Sequence, residues 1–181
     1  MVVLGITGRN CAGKDTVADV LERRGFERHS LSDALRVELR ARGAEITRPA
    51  LIDLGIELRR AEGPAVLANR MKKMIRTQRA ALVSVRSPAE VASLRELPGF
   101  VLVAVEAPVE VRFARETSRR REGPVPSLAA FVELERREDS SDENAQQLSA
   151  TLALADRTIV NDGTLADLEA RVARLLEELH A

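Results

Sequence analysis

Val2-Val3-Leu4-Gly5-Ile6-Thr7-Gly8-Arg9-Asn10-Cys11-Ala12-Gly13-Lys14-Asp15-Thr16 is the stretch whose reading decides the fold. Its first six residues are a short apolar, β-branched run, which reads as a buried parallel strand. From Thr16 the chain carries apolar residues at 17, 18, 20 and 21 and stops at Gly25, a helix with a glycine terminus. Between strand and helix lies a glycine-flanked loop closed by a lysine. That is the setting of a phosphate-binding P-loop, in which backbone N–H groups curl around a phosphate at a helix N-terminus. Lys14 is the mobile positive charge such a loop needs. The motif holds until its last position, where Asp15 replaces Ser or Thr and a hydroxyl follows one place late, at Thr16. Only three of the 28 basic residues are lysine (Lys14, Lys72 and Lys73), so a lysine here carries information.

Composition bounds the rest. At 181 residues the chain suits one core domain with small insertions. No run of about 18 apolar residues occurs, so no membrane span is expected. The start runs directly into a strand with no charged leader, and a single cysteine fits a reducing compartment, so a cytoplasmic location is expected. A formal net charge of zero, no Trp or Tyr and only four Phe argue against nucleic acid as a partner. A monomer or homodimer is expected.

Strand and helix signals alternate downstream. Strands are expected at 26–30, 80–86, 100–105 and 157–161. Residues 32–79 read as nearly all helix, with helices from Ser32 or Asp33 to Arg42, from Pro49 to Glu62 and over 65–78. Ser87-Pro88-Ala89-Glu90 reads as a helix start with Glu90 reaching back, and that helix is expected to end near Leu97. A long helix opens at Pro108 and reaches Arg121, and Glu122-Gly123-Pro124-Val125-Pro126 is a loop. Helices are expected over 127–139 and 144–155, and the last runs from Thr164, capped with Asp167, to Leu179. Alternating strands and helices predict an α/β fold with a parallel sheet and helices on both faces. Ligands then sit at the carboxyl ends of the strands.

These features together resemble P-loop kinases of the nucleoside-monophosphate-kinase-like branch, namely dephospho-CoA kinases and the deoxynucleoside-monophosphate and phosphomevalonate kinases. The resemblance rests on Gly13-Lys14-Asp15-Thr16, Ser30-Leu31-Ser32-Asp33-Ala34-Leu35-Arg36, Arg86-Ser87-Pro88-Ala89-Glu90, Arg119-Arg120-Arg121, and Ala155-Asp156 with Asn161-Asp162-Gly163. It implies a three-layer P-loop NTPase fold with a five-stranded parallel sheet in the order 2-3-1-4-5. The core would span 1–31, 80–118 and 156–181, with a helical acceptor-binding insertion at 32–79 and a lid at 119–140. It also implies ATP and Mg²⁺ as cofactors and a small-molecule phosphate acceptor.

Site roles follow from the same comparison. Gly8, Asn10, Cys11, Ala12, Gly13, Lys14, Asp15 and Thr16 would hold the nucleotide phosphates. Arg36 would grip the acceptor's phosphate through its planar fork, against an ordinary solvated reading. Asp33 would accept or align the acceptor's proton, or else merely cap its helix. Arg59 and Arg86 are further acceptor-binding candidates. Arg112, Arg115 and Arg119 share one helix face, and Arg115 and Arg119 are candidates to meet the triphosphate, unless the run is only a solvated face. Asn161 and Gly163 would contact adenine. Mg²⁺ falls to Asp15 or Thr16, because Val83-Ser84-Val85 offers no acid at the end of the third strand. That gap leaves a rival open, a nucleotide-binding switch without efficient transfer.

Overall fold

The computed structural model describes residues 1–119, 126–142 and 144–180, apart from the side chains of Arg48, Arg119 and Glu138. β1 (Val2–Thr7) lies between β3 (Arg79–Val83) and β4 (Phe100–Glu106). β2 (Glu27–Ser30) pairs with β3, and β5 (Arg157–Val160) pairs with β4. The sheet is parallel throughout in the order β2-β3-β1-β4-β5, as expected. Parallel pairing sends every strand end to one edge of the sheet. The register sets Ile6 beside Val83 and Val103, so the loop after Thr7 leaves between the ends of two neighbouring strands.

Period-two alternation divides the core. Val3, Leu82 and Leu102 point into one layer, where α2 (Leu31–Ala41), α3 (Arg48–Glu62), α4 (Val66–Lys72) and α5 (Pro88–Leu94) supply Leu35, Leu54, Leu67, Met71 and Leu94. Leu4, Ile6, Val103 and Val105 point the other way. There they meet Val17, Val20 and Leu21 of α1 (Lys14–Arg23) and Leu168, Val172 and Leu176 of α9 (Leu165–Glu178). Helix, sheet and helix make the three layers. α9 starts on a full capping box between Thr164 and Asp167. No described helix is long and apolar enough to cross a membrane.

Several boundaries differ from the expected ones, each for a local reason. The helix expected over 65–78 ends at Lys72. Glu27 at the start of β2 captures the Arg76 N–H and the Thr77 hydroxyl, at 3.4 and 3.1 Å, and turns the chain into β3. β3 stops at Val83 rather than Arg86, because Ser84 adopts φ 70°, which a pleated strand cannot hold. The helix expected over 144–155 is only α8 (Leu148–Leu152), since Gln146 O and Gln147 N pair outward with Ser140 N and Arg86 O. Ser87 does cap α5, accepting from Glu90 N at 3.2 Å, but the Glu90 carboxylate accepts from Arg86 N rather than from the cap residue. α6 (Val109–Arg119) ends at the start of the stretch expected as a lid, 119–140, and α7 (Leu128–Glu138) lies within it. Arg120, Arg121 and the loop expected over 122–126, up to residue 125, lie outside the described residues.

Candidate functional site

The loop Gly8–Gly13 is held in place by what surrounds it. Gly8 adopts φ 150°, and a Cβ there would stand 2.3 Å from the Val105 carbonyl oxygen. At Gly13, φ is 101° and a Cβ would stand 2.1 Å from Asn161 Nδ2. Neither position admits a side chain. Asn161, just past β5, is buried and donates from Nδ2 to the Ala12 carbonyl at 2.8 Å. Arg115 of α6 donates to the Cys11 carbonyl at 3.3 Å and to Asn161 O and Oδ1 at 3.1 and 3.3 Å. Both residues expected to meet the nucleotide thus spend their polar groups on the loop's own backbone. Gly163 stands in the turn that caps α9, where a Cβ would crowd the Asp167 carboxylate at 2.6 Å.

Cys11 is nearly buried, takes φ 58° and directs its thiol at Glu116 Oε2, 2.8 Å away. Arg112 forms a buried ion pair with Glu135 of α7 and also reaches the Asn10 carbonyl at 3.4 Å. The loop is therefore tied to α6 at three successive carbonyls, those of Asn10, Cys11 and Ala12.

Lys14 is half-buried and lines a cavity of about 1200 Å³. Its Nζ donates to the Gly8 and Arg9 carbonyls, both at 2.8 Å. Burial, and then the neighbouring Arg86 charge, lower its pKa to about 7 from an ordinary 10.5. A phosphate arriving in the loop would supply the charge that restores it.

Asp33, Arg36, Arg59 and Arg86, the residues expected to meet an acceptor, all line the same cavity. α2 starts on Ser30, and no side chain caps it, so the capping reading of Asp33 fails. Asp33 instead receives Arg36 Nη1 at 2.9 Å, and Arg36 also donates to Ser32 Oγ at 2.7 Å. Arg86 donates to Gln146 Oε1 at 2.7 Å. Arg59 is buried, and its Nη2 donates to Glu90 Oε1 at 2.9 Å. Glu90 is fully buried and joins α3, α5 and the backbone of Arg86 at one carboxylate. Ser84 follows the end of β3 with a hydroxyl in place of an acid, and Ser30 Oγ lies 3.5 Å from Ser84 Oγ. The Arg119 side chain lies outside the described residues.

Asp15 and Thr16 occupy the first turn of α1. The Asp15 carboxylate is exposed and accepts from Arg28 Nη2 at 2.9 Å, while Thr16 is half-buried. Among the described residues no three His, Cys, Asp or Glu side chains converge. A Mg²⁺ carried by a polyphosphate keeps several waters and takes one or two protein oxygens. The Asp15 carboxylate, which lines the cavity, fits that modest donor set with Arg28 competing for it, whereas Thr16 is not among the lining residues.

Sequence reasoning missed Glu90, Glu116, Glu135, Gln146 and Arg28. Of these, Glu90 carried a signal, misread as a local cap. Glu116, Glu135 and Gln146 meet partners 23 to 105 residues away, and Arg28 reaches back from β2 to Asp15 and Asp19 of α1.

No known protein-family profile matches the chain. Curated relatives do. A UPF0200 protein of Methanothermobacter thermautotrophicus is 31% identical over 183 residues, covering 99% of this chain and 91% of its own. A UPF0200 protein of Hyperthermus butylicus is 32% identical over 181 residues, covering 98% and 95%. The chain spans 56% of the length of a UPF0200/UPF0201 protein of Archaeoglobus fulgidus, at 32% identity. Among solved structures, shikimate kinase from Bacteroides thetaiotaomicron superposes with a TM-score of 0.63 at 14% identity, covering 99% of both chains. A gluconokinase from Sinorhizobium meliloti gives 0.52 at 19% identity, covering 99% of this chain and 95% of that one. The structural likenesses, with the strand order, make the fold that of P-loop kinases. Identity above 30% across nearly the whole of both chains goes further: this chain belongs to the UPF0200 family.

Proposed function

We propose that the chain is an ATP-dependent small-molecule kinase, transferring the γ-phosphoryl group to a small phosphorylated acceptor. The observation that carries this reading is that Lys14, Arg36, Arg59 and Arg86 open on one cavity while the loop beneath is clamped from outside by Arg115 and Asn161. Phosphoryl transfer asks a protein mainly for positioning and charge neutralisation, and this arrangement supplies both. Lys14 and the loop amides take the donor's phosphates, with Arg86 close enough to Lys14 to depress its pKa. Arg36 and Arg59 face the acceptor side, and Asp33 orients Arg36 from 2.9 Å. Mg²⁺, held by Asp15 with Thr16 as the alternative, would neutralise charge on the transferring phosphates. Shikimate kinase and gluconokinase, as structural neighbours, support small-molecule transfer in general. The sequence resemblance supports dephospho-CoA or a (deoxy)nucleoside monophosphate as acceptor.

A second reading has one observation in its favour. Ser84 leaves the end of β3 without a carboxylate, as a nucleotide-binding switch without efficient transfer could tolerate. ADP release from ATP and Mg²⁺ across a panel of phosphorylated acceptors separates the two. The kinase reading requires at least one acceptor to raise release well above the ATP-only rate, and binding of ATP with no acceptor-dependent release would favour the switch.

A further inference from the structure

One wall of the cavity is a face of α3. Ile52, Ile56 and Arg59 stand at i, i+4 and i+7 and line it together, whereas Leu54 and Leu58, on the opposite face, belong to the core. Ile52 and Ile56 are half-buried and pack into neither core cluster. Leu35 and Ile46 extend the same apolar surface.

Arg59 ends this stripe and is only 6% exposed. Glu90 takes its Nη2, but its buried Nε–H meets no acceptor. A buried donor without a partner is unfavourable and needs an explanation. Gly55, one turn earlier, gives the guanidinium its room, since a Cβ there would stand 3.0 Å from Arg59 Nη1. The cavity also lacks any aromatic face: the chain has no Trp or Tyr, and none of its four Phe lines the wall. A nucleobase would find aliphatic side chains and no ring to stack on.

We propose that this part of the cavity is the acceptor subsite, and that it takes a saturated carbon frame carrying an anionic group in place of a nucleobase, which sets the nucleoside monophosphates aside among the acceptors named above. The frame lies on Ile52 and Ile56, and the anion meets Arg59, which Glu90 positions. The assignment of an acceptor here rests on the kinase reading, but the subsite is tested by binding alone.

Calorimetric titration of the full chain with butyl, pentyl and hexyl phosphate, with hexanoate and with dCMP supplies the test. Burial against the isoleucines predicts an affinity gain of about fourfold per methylene. Hexyl phosphate is expected to bind at least about tenfold tighter than dCMP, because the site offers a base no stacking partner. Arg59→Lys keeps the charge that balances Glu90 but loses the planar fork, and should weaken hexyl phosphate by about tenfold or more with ATP affinity unchanged. Ile56→Asp should erase the chain-length gain. The preference between hexyl phosphate and hexanoate tells phosphate from carboxylate as the anion read. Affinity independent of chain length, dCMP bound as tightly as hexyl phosphate, or an Arg59→Lys protein with unaltered affinity overturns the proposal. If the alkyl series behaves as stated while no acceptor yields ADP, the kinase reading fails and the subsite stands.

Discussion

Asn161 Nδ2 donates to the Ala12 carbonyl at 2.8 Å, and the same nitrogen lies 2.1 Å from where a Cβ on Gly13 would be. The end of β5 thus closes over the last turn of the phosphate loop. The two positions are 148 and 149 residues apart in sequence, and the fit leaves no space for a side chain at 13.

The first prediction follows from that contact. Asn161→Ala removes the buried donor at the Ala12 carbonyl and the Oδ1 acceptor of Arg115, which keeps the residue 161 backbone carbonyl, a loss of about 1–3 kcal/mol of stability. ATP affinity should fall along with the melting temperature, because the loop loses its outer clamp. If Asn161 instead reads adenine, the variant keeps its melting temperature and loses only its discrimination between ATP and GTP. Thermal unfolding combined with titration of both nucleotides tells these apart.

The second concerns pH. In the free protein Lys14 has its pKa lowered to about 7 by burial and by Arg86, whereas a bound polyphosphate favours the charged ammonium. Raising the pH through 7 therefore deprotonates the free protein, and nucleotide binding must then take up a proton. Between pH 7.5 and 8.5 the dissociation constant for ATP should rise roughly five- to tenfold, with proton uptake visible as a buffer-dependent binding enthalpy. The sign for stability is the reverse: the unfolded chain binds the extra proton between about 7 and 10.5, so the destabilisation that Lys14 imposes lessens as pH rises through that window. A flat affinity profile would mean that Lys14 is fully charged before nucleotide arrives.

How much of this was legible in the sequence depends on the range of the interactions. Val2–Thr7, the glycine spacing and Lys14 sit within 15 residues, so local pattern alone identified strand, loop and helix, and strand–helix alternation identified the parallel sheet. The clamp on the loop was not legible in that way. Arg115 and Asn161 were marked as nucleotide contacts, yet their partners are carbonyls more than 100 residues away. Glu90 looks like a capping residue in sequence, because a first-turn glutamate is common there. Its actual partner, Arg59, comes 31 residues earlier, on a helix packed through the core. Ser84 gave no warning of φ 70°, since strand propensity continues through Val85.

The third prediction concerns Mg²⁺. On the proposed reading Asp15 would be shared between a bound Mg²⁺ and Arg28, which holds it at 2.9 Å. Asp15→Ala should raise the Mg²⁺ concentration needed for half-maximal turnover steeply, and Thr16→Ala should stay close to the parent. Arg28→Ala, which frees the carboxylate, should lower that requirement. A curve displaced only by Thr16→Ala would place the metal on the hydroxyl instead.

If the cavity above Lys14 carries out phosphoryl transfer, the reaction must depend on that lysine. The acceptor that gives the greatest ADP release with the parent protein is offered to Lys14→Ala at saturating ATP and Mg²⁺, with thermal unfolding recorded on the same samples. Removing the side chain that brings positive charge to the Gly8 and Arg9 carbonyls should cut turnover by about three orders of magnitude or more, since transition-state charge would go unmet. Relief of the desolvated ammonium should leave the melting temperature unchanged or raised. Turnover equal to the parent's in a folded Lys14→Ala protein would contradict the account.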